Sequence, residues 1–267
     1  MDRAQRGWMV AVVSVALSWS ASSAAQGGAP IKDVPPTTTP PSEVGVQVET
    51  LLATTYVFRG VPQYSGRSIA SSQSTASLTV KKLGPGDLAL TAWNATALAP
   101  SAAQPTTSLE VDLTAAYSVV VAPSLTASAG YIAYLYPRAT PRDGAHEVFG
   151  QLVFDGVVSP GVAVFAEVVR QRGAYATAFV GKKIESGSLA WTPQISIGVV
   201  GYEGIRTHVN DVTASLGAQY ALSRAFYVAL RAGYSYLPKP AEFMPDGNGA
   251  ASARSVPVGA VALGLSL

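Results

Sequence analysis

Residues 108–121, SLEVDLTAAYSVVV, decide the fold. Leu109, Val111, Leu113, Ala115, Tyr117, Val119 and Val121 occupy alternate positions, with Ser108, Glu110, Asp112, Thr114, Ala116 and Ser118 between them. Helical spacing would scatter Glu110 and Asp112 among the valines, whereas a strand, whose side chains alternate between two faces, separates them cleanly. Soluble strands usually run to about five or six residues. A run from 108 to 121 is long by that measure and suits a tilted membrane strand, which needs roughly nine to eleven.

The same period of two recurs outward from this stretch. Glu43 to Phe58 sets Val44, Val46, Val48, Leu52, Tyr56 and Phe58 against Glu43, Gln47, Glu49 and Thr55. His146 to Val158 sets Val148, Leu152 and Phe154 against Glu147, Gln151 and Asp155. Asp211–Leu222, Ala225–Tyr236 and Ser255–Leu267 alternate likewise, with Arg231 on the polar side of its segment. Weaker alternation marks Ser68–Lys82, Leu88–Leu98, Leu125–Tyr136, Val162–Gln171, Tyr175–Ile184 and Leu189–Tyr202. These segments predict about twelve strands, an even number as single-chain bacterial barrels require.

The connections carry a second pattern. Gly84-Pro85-Gly86-Asp87, Ala122-Pro123-Ser124, Ser159-Pro160-Gly161, Glu185-Ser186-Gly187-Ser188 and Ser223-Arg224 read as tight turns. Longer, irregular connections fall between them, so short and long alternate along the chain. The expectation is an all-β fold: a closed antiparallel transmembrane β-barrel with short periplasmic turns and longer extracellular loops. Backbone polar groups find no water in lipid, so a spanning sheet has to close. Tyr56, Phe58, Tyr134, Tyr136, Phe149, Tyr175, Tyr202, Tyr234 and Tyr236 fall beside the long connections and are expected to form an outer aromatic girdle.

Composition narrows the class. The chain has 267 residues, 48% hydrophobic and 13% charged, about half the charge of a soluble domain, with mean hydropathy +0.26. No run reaches the eighteen or so apolar residues of a membrane helix. With no cysteine, disulfides, thiolate metal sites and cysteine nucleophiles are excluded. A net charge of +2 with no basic block argues against nucleic acid as a partner. Arg3 and Arg6, the apolar run Trp8–Trp19 and Ser23-Ala24-Ala25 predict a signal peptide over 1–25, cleaved after Ala25. Residues 26–42, rich in Pro and Thr, read as a disordered lead-in to a barrel over 43–267.

Tyr56-Val57-Phe58-Arg59-Gly60-Val61-Pro62-Gln63 resembles the "Y-x-F-R-G-[IV]-x-Q" opening of the TorF-type putative porins of proteobacteria. Glu110-Val111-Asp112-Leu113 through Tyr117-Ser118 resembles that family's "E-x-D-L/I…Y-S" strand. Gly130-Tyr131-Ile132 through Tyr134-Leu135-Tyr136-Pro137 resembles its "G-x-I-x-Y-x-Y-P" strand. The resemblance implies an outer-membrane barrel of a Gram-negative bacterium that serves as a channel. Its partners would be outer-membrane lipid, the barrel-assembly machinery and small hydrophilic solutes or ions. The chain departs from such barrels at its last residue, Leu267, where an aromatic is usual.

Residues placed on the polar faces are the candidate pore lining: Glu49, Arg59, Glu110, Asp112, Glu147, Asp155 and Arg231. Arg59 reads either as a cation at the mouth that attracts anionic solute or as a contact fixing the first outer loop. Glu110 and Asp112 read as a cation-favouring patch, opposed by Arg231 or Lys182, or as part of a salt-bridge lattice filling a narrow barrel. About twelve strands lies between the side-chain-filled barrels of eight and the open channels of sixteen, so a constricted pore is expected. His146 and His208 are the only histidines. Neither has a second ligand at metal spacing, no phosphate loop is present, and no cofactor is expected. The leading expectation is a non-enzymatic porin-like channel for passive diffusion. A plugged structural or adhesive barrel acting through its outer loops, and an outer-membrane lipid hydrolase using His146 or His208, are the alternatives.

Overall fold

The computed structural model describes residues 44–59, 61–63, 70–98, 109–137, 144–169, 173–202, 206–238 and 254–267. The expected signal peptide and lead-in, and parts of the long connections, lie outside them. The chain begins with β1 (Val44–Ala53), followed by the two-residue strands β2 (Val57–Phe58) and β3 (Val61–Pro62). Long strands follow: β4 (Ser71–Leu83), β5 (Gly86–Ala97), β6 (Leu109–Ala122), β7 (Leu125–Leu135), β8 (Ala145–Phe154), β9 (Ser159–Glu167) and β10 (Gly173–Gly181). The rest are β11 (Ile184–Ser186), β12 (Leu189–Tyr202), β13 (His208–Ala221), β14 (Phe226–Tyr236) and β15 (Ser255–Ser266).

Every neighbouring pair is antiparallel, and two pairings close the ring. β1 pairs with β15, Val48 opposite Leu265, and β10 pairs with β12, Ala176 opposite Val199. Twelve strands therefore form a closed barrel, as the alternation and turn signals predict. β11 is an extra short strand that continues the line of β10 along β12: Gly181 faces Gln194, and Ile184 faces Trp191 in the same register. The ladder lapses opposite Pro193, which has no N–H to donate. Lys182 N still donates to Pro193 O at 3.3 Å, but the reciprocal bond cannot form.

The outer wall carries the apolar half of the alternation. Val46, Val48, Leu113, Val148, Leu152, Val162, Ile195, Leu216, Leu230 and Leu263 all stand exposed. A soluble sandwich would turn these residues inward; here they form the lipid-facing band of a transmembrane barrel. Among the described residues no helix is long and apolar enough to cross a membrane, and the crossing is made by strands.

The first strand is shorter than its periodicity predicts. Expected to reach Phe58, it ends at Ala53, and residues 56–63 instead fold back as a β2–β3 hairpin, Phe58 facing Val61. Gln63 N donates to Tyr56 O and closes it. Two-residue hairpin connections favour positive φ, and Arg59 adopts +46°. The hairpin lies inside the barrel: Phe58 and Arg59 are 1% and 5% exposed.

The aromatic girdle is corrected by the same geometry. Tyr56, Phe58, Tyr134, Phe149 and Tyr175 are buried in an interior cluster with Trp93, Ile132 and Phe165, and Tyr136 packs against it. On β7 and β8, Tyr134 and Phe149 share a face with Ile132 and Glu147, the lumen side. Of the aromatics expected to face lipid, Tyr234 and Tyr236 do so; the side chain of Tyr202 lies outside the described set. Every aromatic of the cluster sits at the end of the barrel with long connections. The other end of the lumen carries hydroxyl and amide groups, among them the cross-strand pairs Ser77–Thr91 at 2.9 Å and Ser118–Ser128 at 2.8 Å.

Candidate functional site

The site is assembled around the hairpin. Arg59 Nη1 and Nη2 donate to Glu147 Oε1 and Oε2 at 3.0 and 2.7 Å, a bidentate ion pair with both side chains buried. Bidentate pairing matches the planar guanidinium fork to the carboxylate and fixes both groups in orientation. Tyr134 Oη donates to Glu147 Oε2 at 2.7 Å, giving that oxygen a second donor. The guanidinium carbon lies 4.4, 4.9 and 5.0 Å from the ring centroids of Tyr175, Phe58 and Phe165. These distances are within the range of cation–π attraction. The carboxylate and the rings together replace the water that Arg59 gives up.

A β-bulge holds the other side of the hairpin. Gly198 faces Asp211 and Val199 faces Val209, so Asn210 is the extra residue on β13. A bulge lets two successive side chains turn the same way, and both Asn210 and Asp211 are buried. Asn210 Nδ2 donates to the Arg59 carbonyl at 2.6 Å and to Asp211 Oδ1 at 2.8 Å. Tyr175 Oη and Thr213 Oγ1 also donate to Asp211, at 3.0 and 3.2 Å. The alternation places Asp211 at the start of a strand and leaves Asn210 outside it. The signal for more was there: two polar residues in succession at 210–211 interrupt the alternation.

On its third side the hairpin meets β5 and β6. Tyr56 packs on Trp93 with centroids 5.2 Å apart and hydrogen-bonds Glu110. Tyr136 Oη donates to Glu110 Oε1 at 3.3 Å. Asp112 lies in register between Trp93 and Tyr134. The hairpin thus touches β5, β6, β8, β9, β10 and β13, and it crosses the lumen as a beam rather than lining one wall.

The remaining candidates fall in two other places. Glu49 accepts from Arg231 Nη2 at 2.6 Å and Tyr227 Oη at 3.0 Å, and Gln47 Nε2 donates to Tyr227 Oη. This second charged group stands on β1 and β14, which adjoin β15 from either side. Asp155 lies in the turn between β8 and β9, half exposed, and pairs with Lys182 at 2.8 Å. That hydrogen bond holds the Asp155 carboxyl below the ordinary carboxylate range. Arg231 and Lys182 therefore pair with Glu49 and Asp155 and not with Glu110 and Asp112. His146 stacks on Tyr131, whose hydroxyl meets its Nδ1, on the outer wall. His208 is buried on β13, its Nδ1 beside Arg206 O at 2.7 Å. Among the described residues no three His, Cys, Asp or Glu side chains form a metal-binding group.

A closed barrel with an apolar outside, a lumen of hydroxyl, charged and aromatic groups and a folded-in first connection defines an outer-membrane-type β-barrel. No known family model matches the chain, and no curated protein matches it in sequence. Solved structures do match in fold. The COG4313 outer membrane channel from Pseudomonas putida F1 aligns with TM-score 0.56 at 10% identity, covering 88% of this chain and 100% of the channel. The KdgM porin in complex with disordered oligogalacturonate gives 0.50 at 7% identity, covering 84% and 99%. The NanC porin gives 0.50 at 9%, covering 83% and 98%. At these identities the likeness is one of fold.

Proposed function

We propose that the protein is a porin-like channel of the outer membrane for passive diffusion of small hydrophilic solutes or ions, narrowed by the hairpin that carries Arg59. The observation that carries this reading is a closed barrel whose lumen is hydroxylated at one end and, among the described residues, is narrowed at the other by a folded-in connection packed against rings of the wall. Selection in such a pore needs width and charge alone, so we assign it no catalytic residue and no cofactor. Export through a signal peptide over 1–25, insertion by the barrel-assembly machinery and membership of the TorF-type family belong to the same proposal.

The pore-lining residues we propose are Arg59, Glu110, Asp112 and Glu147 at the constriction and Glu49 and Arg231 beyond it. Asp155, in a turn, would act at the entrance. Oligogalacturonate, the acidic sugar bound by one neighbour, suits this lumen poorly, because Glu110 and Asp112 face it. A second reading has its own support: the hairpin is anchored on six strands, which fits a permanently plugged barrel acting through its outer loops. Planar-bilayer conductance separates the two. Small discrete steps that enlarge in Arg59→Ala support the narrowed channel. A folded barrel, verified by heat-modifiable migration, that conducts in neither form supports the plug.

A further inference from the structure

The carboxylates of the lumen are unequally neutralised. Glu147 is held by Arg59 and Glu49 by Arg231, whereas Glu110 and Asp112 form no ion pair among the described residues. They stand two apart on β6 and project from the same face. Asp112 is 3% exposed and its Oδ1 has no hydrogen-bond partner among the described residues. A buried carboxyl without a complementary group either holds its proton or meets a cation, and a cation that enters the lumen can displace that proton.

The surroundings specify the occupant's chemistry. Trp93 and Tyr134 flank Asp112 in register, Tyr56 and Tyr136 hydrogen-bond Glu110, and the Tyr56 and Trp93 rings are 5.2 Å apart. Compact metal ions take a shell of several oxygens, and the described residues offer no such set. Ring faces and carboxylates together suit a broad organic cation. The barrel contains its own example, since Arg59 is held by one carboxylate and three rings. Tyr56 belongs to the connection after β1 and not to the barrel wall.

We propose that Glu110 and Asp112, walled by Tyr56, Trp93, Tyr134 and Tyr136, bind the guanidinium or primary ammonium head of an organic cation and make the pore selective for such solutes. The selectivity rests on the channel reading; the binding does not. The test is isothermal titration of the full folded barrel in detergent with butylguanidine and with butylurea, which has a planar head of similar shape and no charge. Saturable binding of butylguanidine alone, weakened about ten-fold or more in Glu110→Gln/Asp112→Asn, is the expected result. Equal heats for the two probes, or no saturable heat from butylguanidine, would overturn the site whether or not the variant folds. Unchanged butylguanidine affinity in a folded double variant would overturn it as well. Conductance is read separately, so a barrel that binds butylguanidine without conducting refutes the channel and keeps the site.

Discussion

Arg59 concentrates the energetics of the interior in one side chain. Its guanidinium is desolvated, paired in bidentate fashion and stacked, while its backbone sits at φ +46°, a conformation that costs a non-glycine residue about 1 kcal/mol. Arg59→Ala leaves Glu147 buried with Tyr134 as its remaining donor in this group, and breaking such a pair costs about 3–5 kcal/mol. Urea unfolding in detergent should show that loss. Arg59→Lys keeps the charge but not the fork, and should recover only part of it. If Ala and Lys unfold alike at the wild-type midpoint, the pair is not what fixes the hairpin. Asp155 tests the opposite environment. Its carboxyl, held low by Lys182, should titrate below the ordinary range by NMR and return to it in Lys182→Gln. A depressed group contributes in full above its unfolded value and loses that contribution as pH falls through the folded one, so Lys182→Gln should lower stability at neutral pH, and the two proteins should converge in acid, where the carboxyl is protonated in both. Both Arg59 and Glu147 were legible in the sequence as lumen candidates. Their partnership was not, because 88 residues separate them and nothing local sets which strands face each other across the ring.

Strand boundaries were legible even where alternation was weak, since Leu189–Tyr202 has the bounds its periodicity gives, and they failed where the chain leaves the wall. β1 stops at Ala53 because the next apolar residues, Tyr56 and Phe58, find a better partner in the lumen's rings than in lipid. The aromatics misled for a related reason: a ring beside a loop satisfies both a girdle and a plug, and only the register chooses. β10 and β11 show an interruption that chemistry can repair. Lys182 and Pro193 are register partners, and one of their two ladder bonds is absent for want of an N–H. Pro193→Val supplies the donor and a β-branched side chain on an exposed position, and should stabilise the barrel by about 1 kcal/mol. Hydrogen exchange gives the decisive readout: the new amide at 193 should be protected. A fast-exchanging amide there would mean that the gap between β10 and β11 has another cause.

At the scale of the whole molecule, two solvents shape one wall. The lumen end near the tight turns is hydroxylated, the other end is filled by rings and the Arg59 hairpin, and the outside is apolar throughout its middle. The sequence carried this division directly, since a face of valines and leucines opposite acids and hydroxyls has one stable arrangement in lipid, with the apolar face outward. Depth is the property that separates this arrangement from an exposed soluble surface. A strand such as β13, from His208 to Ala221, at about 3.3 Å per residue and tilted about 40°, outreaches the roughly 25 Å apolar band. Leu216 therefore lies within the band, while Leu222, just past the strand beside a tight turn, lies at its edge. Both leucines are exposed, at 44% and 60%, so burial within the protein predicts little difference between them. In a bilayer, Leu216→Arg should cost about 2–4 kcal/mol and Leu222→Arg about 0–1 kcal/mol. Reversible unfolding from lipid vesicles measures both, and equal costs would remove the membrane from the explanation of the outer face.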